Sequence, residues 1–335
     1  MSGHIICLDI GTYSIKGYNP KNDHYWQESN CYLSKHGTPH TYGSKAEQME
    51  ERLPAFMELH RPMSRGIIRQ FGQMMDTIDE ILSMYESTNR RGKYLLAVPT
   101  DVSEVEKRAF SDLLFYSKRK ASNVLLIERG IAEGLGCGID LWDHEGSCVL
   151  NLASKTDITV LSGTGITINR SLPIGFEDFI RSLQEAVLNH YGLNIGELTA
   201  KRLLEGLDFQ EDDVMITKGR SYITGYPDQV QVQQHILHEA ITPLLQDMVS
   251  GIHSVIIRAS SDVVQNITKE GIYLCGGNAS IKAITQYLQE HVRYPLQIQE
   301  EHTSTTIRGL SFLLKHDLVK ELTYSMLEED YRWLR

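Results

Sequence analysis

This chain is short of paired cysteines, of positive charge and of long apolar runs, and each shortage excludes a class of protein. Its five cysteines (Cys7, Cys31, Cys137, Cys148, Cys275) are scattered with no Cys-x-x-Cys spacing, which excludes a disulfide framework and suits a reducing compartment. Lys and Arg number 33 against 43 Asp and Glu, a net charge of -10, and that balance argues against a general nucleic-acid binder. The short basic clusters "RRGK" (90–93) and "SKRKAS" (117–122) read as solvated turns. No apolar run approaches the roughly 20 residues of a membrane-spanning helix. The first residues run straight into "HIICLDIG", too short a segment for a signal peptide. The expectation is a cytoplasmic protein with no nucleic-acid partner and at most weak, peripheral membrane-surface contact. At 335 residues and 41% hydrophobic content, the chain is long enough for two domains with cores of their own.

Glycine is also missing from one place where it would matter. "VLNLASKTDITVLSGTG" (149–165) reads as strand, turn and strand, yet the turn from Asn151 to Thr156 contains no glycine. A similar hairpin opens the chain: "HIICLDIGTYSIKGY" turns at Gly11 and Thr12. After it, residues 21–60 are polar and irregular and read as an insertion. "IIRQFGQMMDTIDEILSMYES" (67–87) has apolar residues at helical spacing. "YLLAVP" and "NVLLIE" read as buried strands, and between them Ser103 and Glu106 form a capping box that opens a helix. "GIAEGLGCGIDL" is a helix rich in small residues. Near 142–146 the pattern starts over, with helices expected at about 176–191 and 196–204, a polar insertion near 205–229, and a long helix from about 230 to 259. A strand, glycine turn and helix (271–291) and a last helix close the chain. This pseudo-repetition predicts two related α/β domains facing each other across a cleft: 1–143 with an insertion at about 21–60, 144–306 with one at about 205–229, and 307–335 returning to the first domain.

The order of these segments resembles the actin and 70-kDa heat-shock-chaperone superfamily, and within it the MreB-type bacterial actins. "LDIGTYSIK" is similar to the first phosphate loop, Asp-x-Gly-Thr-x-x-Thr, and "VPTDVSEVEKRAFSD" to Val-Pro-Ser-x-x-Thr-Glu-Val-Glu-Arg-Arg-Ala. "LIERGIAEGLGCGIDL" resembles Ile-Glu-Glu-Pro-x-Ala-Ala-Ala-Ile-Gly-Ala-Gly, and "RPMSRGIIRQF" resembles Arg-Pro-Leu-x-x-Gly-Val-Ile-x-x-Phe. "LPIGFEDFIRSLQEAVLNHYGLNIGELTAKRL", "GIYLCGGNASI" and "TTIRGL" look like the later family segments. The blocks come in order and span nearly the whole chain. They imply an actin-like, ribonuclease-H-like α/β fold of two domains with a central nucleotide cleft and two small inserted subdomains.

The resemblance implies ATP or ADP with Mg²⁺ as cofactor and assigns residues to it. Asp9 would hold a Mg²⁺-bound water, and the backbone of Gly11, Thr12 and Tyr13 would face the β-phosphate. Lys155 and Thr156 fall in the second phosphate loop; Glu197, Gly276, Gly277 and Asn278 fall at the nucleoside end. The departures matter more than the matches. Asn151 stands where the family has a magnesium-shell aspartate. Ala153, Ser154 and Lys155 replace three glycines, whose value is positive φ and close backbone approach. Lys155 could reach phosphate oxygens as a point charge, or pair internally with Asp9. Arg129 occupies the position of the water-activating acid or amide, and a permanent cation is no general base, although it could bind phosphate. Glu128, one residue earlier, is expected to point away into a surface or interdomain ion pair, and Lys201 replaces a second acid. Three losses converge on metal, second phosphate turn and water activation, so the expectation is a pseudo-ATPase with no catalytic residue.

Other constellations have plainer readings. His235, His238 and Glu239 lack a further ligand and read as a solvated helix face. Cys148 lies in a strand and is no nucleophile, while Met74, Met75 and Met84 fill core or a partner groove. The closing "YRWLR" (331–335) reads as a docking tail or membrane-surface foot. The function expected from the resemblance is a cytoskeletal filament or scaffolding subunit, acting in cell-shape determination. It would stack head to tail with itself, a heterologous contact that need not close, or modulate an active MreB-like paralogue. Two alternatives stand beside it: an atypical, slowly hydrolysing ATP-binding actin, and a non-polymerising chaperone-like accessory protein.

Overall fold

The computed structural model describes residues 5–50, 53–54, 56–86, 91–142, 145–163, 165–210 and 213–326. The chain divides into two compact units: Met1–His144 with Leu161–Ile166 and Ser304–Arg335, and Glu145–Val160 with Thr167–Thr303. The closing "YRWLR" and residues 87–90 of the basic loop lie outside the described residues.

The first unit is built on a five-stranded sheet in the order Asn123–Glu128, Lys93–Val98, Ile5–Ile10, Ser14–Asn19, His24–Ser29. Its first three strands run parallel, and the hairpin strands add antiparallel. Parallel strands are covered on both faces, and Ile6, Leu8, Leu96, Val98, Val124 and Leu126 are accordingly buried in one core with Met74, Ile78 and Phe110. The helices Phe71–Tyr85 and Glu104–Phe115 cover the face that these residues share. The second helix starts where expected: Ser103 Oγ accepts from the Glu106 N–H while Glu106 Oε2 accepts from the Ser103 N–H.

The second unit repeats the arrangement. Its sheet runs Gly165–Leu172, Thr156–Ser162, Ser147–Leu152, Ile272–Cys275, Leu296–Ile298. In both sheets the spatial order is third, second, first, fourth and fifth strand of the unit's own main sheet, so the repetition read from the sequence is one of topology. The helices Phe176–Tyr191 and Gln234–Ile256 pack on this sheet and bury Phe179, Leu183, Ile241, Leu245 and Ile252.

Three segments differ from the sequence reading. Residues 21–60 are not all insertion, because His24–Ser29 is the edge strand of the main sheet, held by Trp26 lying against Gly17. Among the described residues the three-stranded sheet of Tyr32–Lys35, Thr38–Tyr42 and Met57–His60, with the short helix Ser44–Glu47, stands apart from it. The long helix begins at Gln234, since Pro227–Gln233 is a strand paired with Val214–Ser221. And Met84, unlike Met74, is half exposed on the far face of its helix. Among the described residues no helix is long and apolar enough to cross a membrane.

Candidate functional site

The residues assigned to one nucleotide are divided between the units, and each group has its own internal bonding. In the first unit Asp9 ends the strand Ile5–Ile10, and the tight turn after it is closed by the Gly11 N–H donating to the Ser14 carbonyl at 2.9 Å. Hairpin register sets Lys16 directly opposite Asp9. The helix Arg129–Gly136 follows the strand Asn123–Glu128 with no linker, which fixes where Arg129 emerges. The result is a carboxylate flanked on both sides: Asp9 Oδ1 lies 3.2 Å from Arg129 Nη2, and Asp9 Oδ2 lies 3.7 Å from Lys16 Nζ. Arg129 also donates to the Ile10 carbonyl at 3.1 Å. All three side chains are nearly buried, at 7% exposure for Asp9 and 12% for each cation, so the pairing is little screened by water.

The neighbours of this cluster are committed to structure. Thr12 Oγ1 accepts from the Gly66 N–H at 2.9 Å, and the Arg61 guanidinium covers the Tyr13 ring at 4.8 Å. Glu128 does turn away from Arg129, but its ion pair is internal to the unit and not interdomain. It takes Lys107 at 3.0 Å and the Tyr324 hydroxyl at 3.0 Å. Burial, and then the Glu128 charge, push the Tyr324 phenol upward. The helix carrying Arg129 sits hard against Thr305–Lys315, because Gly136 and Gly309 let backbone meet backbone: a Cβ at Gly309 would fall 1.7 Å from the Ala132 carbonyl oxygen.

In the second unit the glycine-free turn is formed without strain. None of Ala153, Ser154 and Lys155 has positive φ, so the turn does without the backbone conformation that glycines would allow there. The glycines that make room for it come from elsewhere in the unit. A Cβ at Gly175 would lie 2.2 Å from the Ser154 carbonyl, and one at Gly276 (φ +91°) would lie 2.3 Å from Asn151 Oδ1 and 2.4 Å from the Leu152 carbonyl oxygen. The Ala153 carbonyl accepts from the Phe176 N–H at 3.1 Å and from Asn278 Nδ2 at 2.8 Å, while the Ala153 N–H donates to the Lys155 carbonyl at 3.0 Å. Lys155 Nζ lies 3.5 Å from Asp157 Oδ1, with both side chains largely buried. Thr156 Oγ1 donates to the Ile174 carbonyl at 2.8 Å. Gly277, unlike Gly276, faces open space.

Glu197 opens the helix Glu197–Gly206. It lines an open groove of about 330 Å³ with Glu177, Ile180, Arg181 and Gln184 on one helix face. Lys201, one turn along, pairs with Glu205 at 3.9 Å. His238 is not solvated but stacked on Phe209 with ring centroids 4.3 Å apart; among the described residues no three His, Cys, Asp or Glu side chains cluster as metal ligands. Burial pushes the Cys148 thiol up to about 12, which removes it as a nucleophile.

Compared with known proteins, residues 4–321 match the family described as MreB/Mbl protein. The chain belongs to the MreB/Mbl family. Within that family the cell shape-determining protein MreB of Escherichia coli (strain K12) is 26% identical over 275 residues, covering 80% of this chain and 79% of that one. The crystal structure of MreB5 of Spiroplasma citri bound to ADP superposes with a TM-score of 0.86 at 20% identity, over 96% of this chain and 98% of that one. A MamK double helical filament subunit follows with a TM-score of 0.76 at 16% identity, over 93% and 98%. The fold of this MreB/Mbl chain is therefore actin-like, with the two topologically repeated sheets as its frame.

The sequence reading missed Lys16. The signal was available, since a turn at 11–13 puts residue 16 across from residue 9 in a hairpin. It also missed that Asn278 and Gly175 hold the second turn; no sequence spacing announces contacts between segments so far apart.

Proposed function

We propose that this chain is an MreB-like actin of the cell-shape-determining kind, a cytoplasmic filament or scaffolding subunit that has lost metal-dependent ATP hydrolysis. One observation carries the reading: both oxygens of Asp9 already face cations of the same unit, Arg129 at 3.2 Å and Lys16 at 3.7 Å. Mg²⁺ demands near-octahedral oxygen ligation, commonly with one or two carboxylates. Here the first carboxylate is neutralised twice over, and Asn151 offers only an amide at the second position. This donor set does not fit the ion. Arg129 stays protonated and activates no water. The nucleoside end supports retained nucleotide binding more than the phosphate end does, because Gly277 is open and Glu197 faces a groove.

The ADP bound by the Spiroplasma relative and the double helical filament of MamK support nucleotide binding and self-association as family habits that this chain inherits. A head-to-tail contact without hydrolysis gives filaments whose turnover is set by partners. The test pairs phosphate release with pelleting. The expected result is pelleting of the native chain with no Mg²⁺-stimulated phosphate release from ATP. Release that rises with Mg²⁺ and with polymer would overturn the reading and favour the slow ATPase. Failure to pellet at any concentration would favour the accessory protein.

A further inference from the structure

The carbonyl oxygens of the loop after Asp9 are occupied, and one buried side chain, Asn30, accounts for much of this. An anion seated on a backbone loop is attracted by N–H groups and repelled by carbonyl oxygens, so the direction of each peptide decides what the loop accepts. The Ile10 carbonyl accepts from Arg129 Nη2 at 3.1 Å. The Gly11 carbonyl accepts from Asn30 Nδ2 at 2.8 Å, the Tyr13 carbonyl from the Asn30 N–H at 2.9 Å, and the Ser14 carbonyl from the Gly11 N–H at 2.9 Å. Asn30 reaches the loop by way of the edge strand. Register pairs Ser29 of that strand with Ser14, which sets the next residue opposite Tyr13. An asparagine at a strand end ordinarily bonds its own neighbouring backbone, whereas the Asn30 side chain bonds 19 residues back. It is fully buried, and among the described residues its Oδ1 has no hydrogen-bond partner. A buried oxygen left unpaired costs stability, so the stabilising part of this side chain is its Nδ2 donor.

We propose that Asn30 is the positioning residue of this loop, aiming the Thr12 and Ser14 amides at a phosphate group of a nucleotide bound without metal. This rests on the reading that nucleotide binding is retained while the metal is lost. In a trans peptide the N–H points opposite to the preceding carbonyl, and no peptide bond among the described residues is cis. Holding the Gly11 carbonyl therefore turns the Thr12 N–H away from Asn30. Holding the Tyr13 carbonyl does the same for the Ser14 N–H. Both donors are fixed before any ligand arrives, which lowers the ordering cost of binding. Gly11 suits the tightness of the turn, since a Cβ there would lie 3.0 Å from the Ser14 carbonyl oxygen. The occupied Asp9 carboxylate removes the metal, whereas the backbone beside it stays set for an anion.

Titration of the full chain with ADP, and separately with adenosine, both in chelator, tests this. Native protein is expected to bind both, ADP the more tightly. Asn30→Ala should weaken ADP about tenfold and leave adenosine, which has no phosphate, within about twofold of native. Asn30→Ser, with a shorter donor, should fall between. Thermal unfolding sets the temperature at which each variant is folded, and the serine variant carries the comparison if the alanine variant does not fold. In the native chain the Thr12 and Ser14 amide resonances should shift with ADP and stay in place with adenosine. The proposal is overturned if the variants bind ADP as native does, if both ligands weaken together, or if those two amides do not respond to ADP. Native protein that binds neither ligand overturns the retained-nucleotide reading and this proposal with it, whereas native binding with unchanged variants removes this proposal alone.

Discussion

The hairpin that opens the first unit and the hairpin that opens the second depart from the family's pattern in opposite ways. The first keeps the family's letters, Asp9, Gly11 and Thr12, yet its carboxylate is held between Arg129 and Lys16 and its threonine hydroxyl is bound to the Gly66 amide. The second loses the letters, yet keeps an unstrained turn, because Gly175, Gly276 and Asn278 shape the space around Ala153 to Lys155. A matching residue is therefore no guarantee of a working group, and a missing glycine is no proof of a broken turn. What decides is which partners each polar group already has.

Substitutions can break this contrast, starting with the largest effect. Gly276→Ala would force φ +91° on a side-chain-bearing residue and drive a Cβ into Asn151 and Leu152. Strain and overlap together should cost about 4 kcal/mol in urea unfolding of the second unit's signal. Asp9→Asn leaves Arg129 and Lys16 nearly buried without their counter-charge and should cost about 3 kcal/mol by the same measurement. A cost near zero would mean the cations are solvated and the cluster open. Asn278→Ala removes one of two hydrogen bonds to the Ala153 carbonyl, so about 1 kcal/mol is expected.

A pH scan sharpens the comparison from another side of the second unit. Asp208 is held down from its ordinary 3.8 to about 2, first by the hydrogen bond from Lys282 and then by the Gln210 N–H. Its folded-state value is depressed, so its contribution to stability is present above about pH 4 and fades as the pH falls toward 2. Acid unfolding of native protein and of Asp208→Asn should differ at neutral pH and converge at the acid end. The smallest effect belongs to Gly277→Ala, which meets nothing within 4 Å and should shift stability by less than about 1 kcal/mol in either direction.

Much of the frame was legible because local signals and tertiary demands agree. The Ser103 capping box, the helix Phe176–Tyr191 and both opening hairpins follow from spacing alone. The strand Pro227–Gln233 was legible too, since its Gln-Val-Gln-Val-Gln alternation has a period of two, but it runs without a break into a helix and was absorbed by it. His24–Ser29 was hidden for a different reason. As an edge strand it exposes His24, Tyr25 and Gln27 and buries little besides Trp26, so its composition reads as loop. At the site, substitutions could be read position by position, whereas the partners of Asp9 and of the second turn needed three dimensions.

The central claim is that Asp9 is already satisfied by Arg129 and Lys16 and recruits no metal. Calorimetric titration of ATP into the native chain, with Mg²⁺ and with chelator, tests it most directly. The account predicts an ATP affinity that Mg²⁺ changes less than about twofold. Tightening by Mg²⁺ of about tenfold or more, abolished by Asp9→Asn, would contradict it.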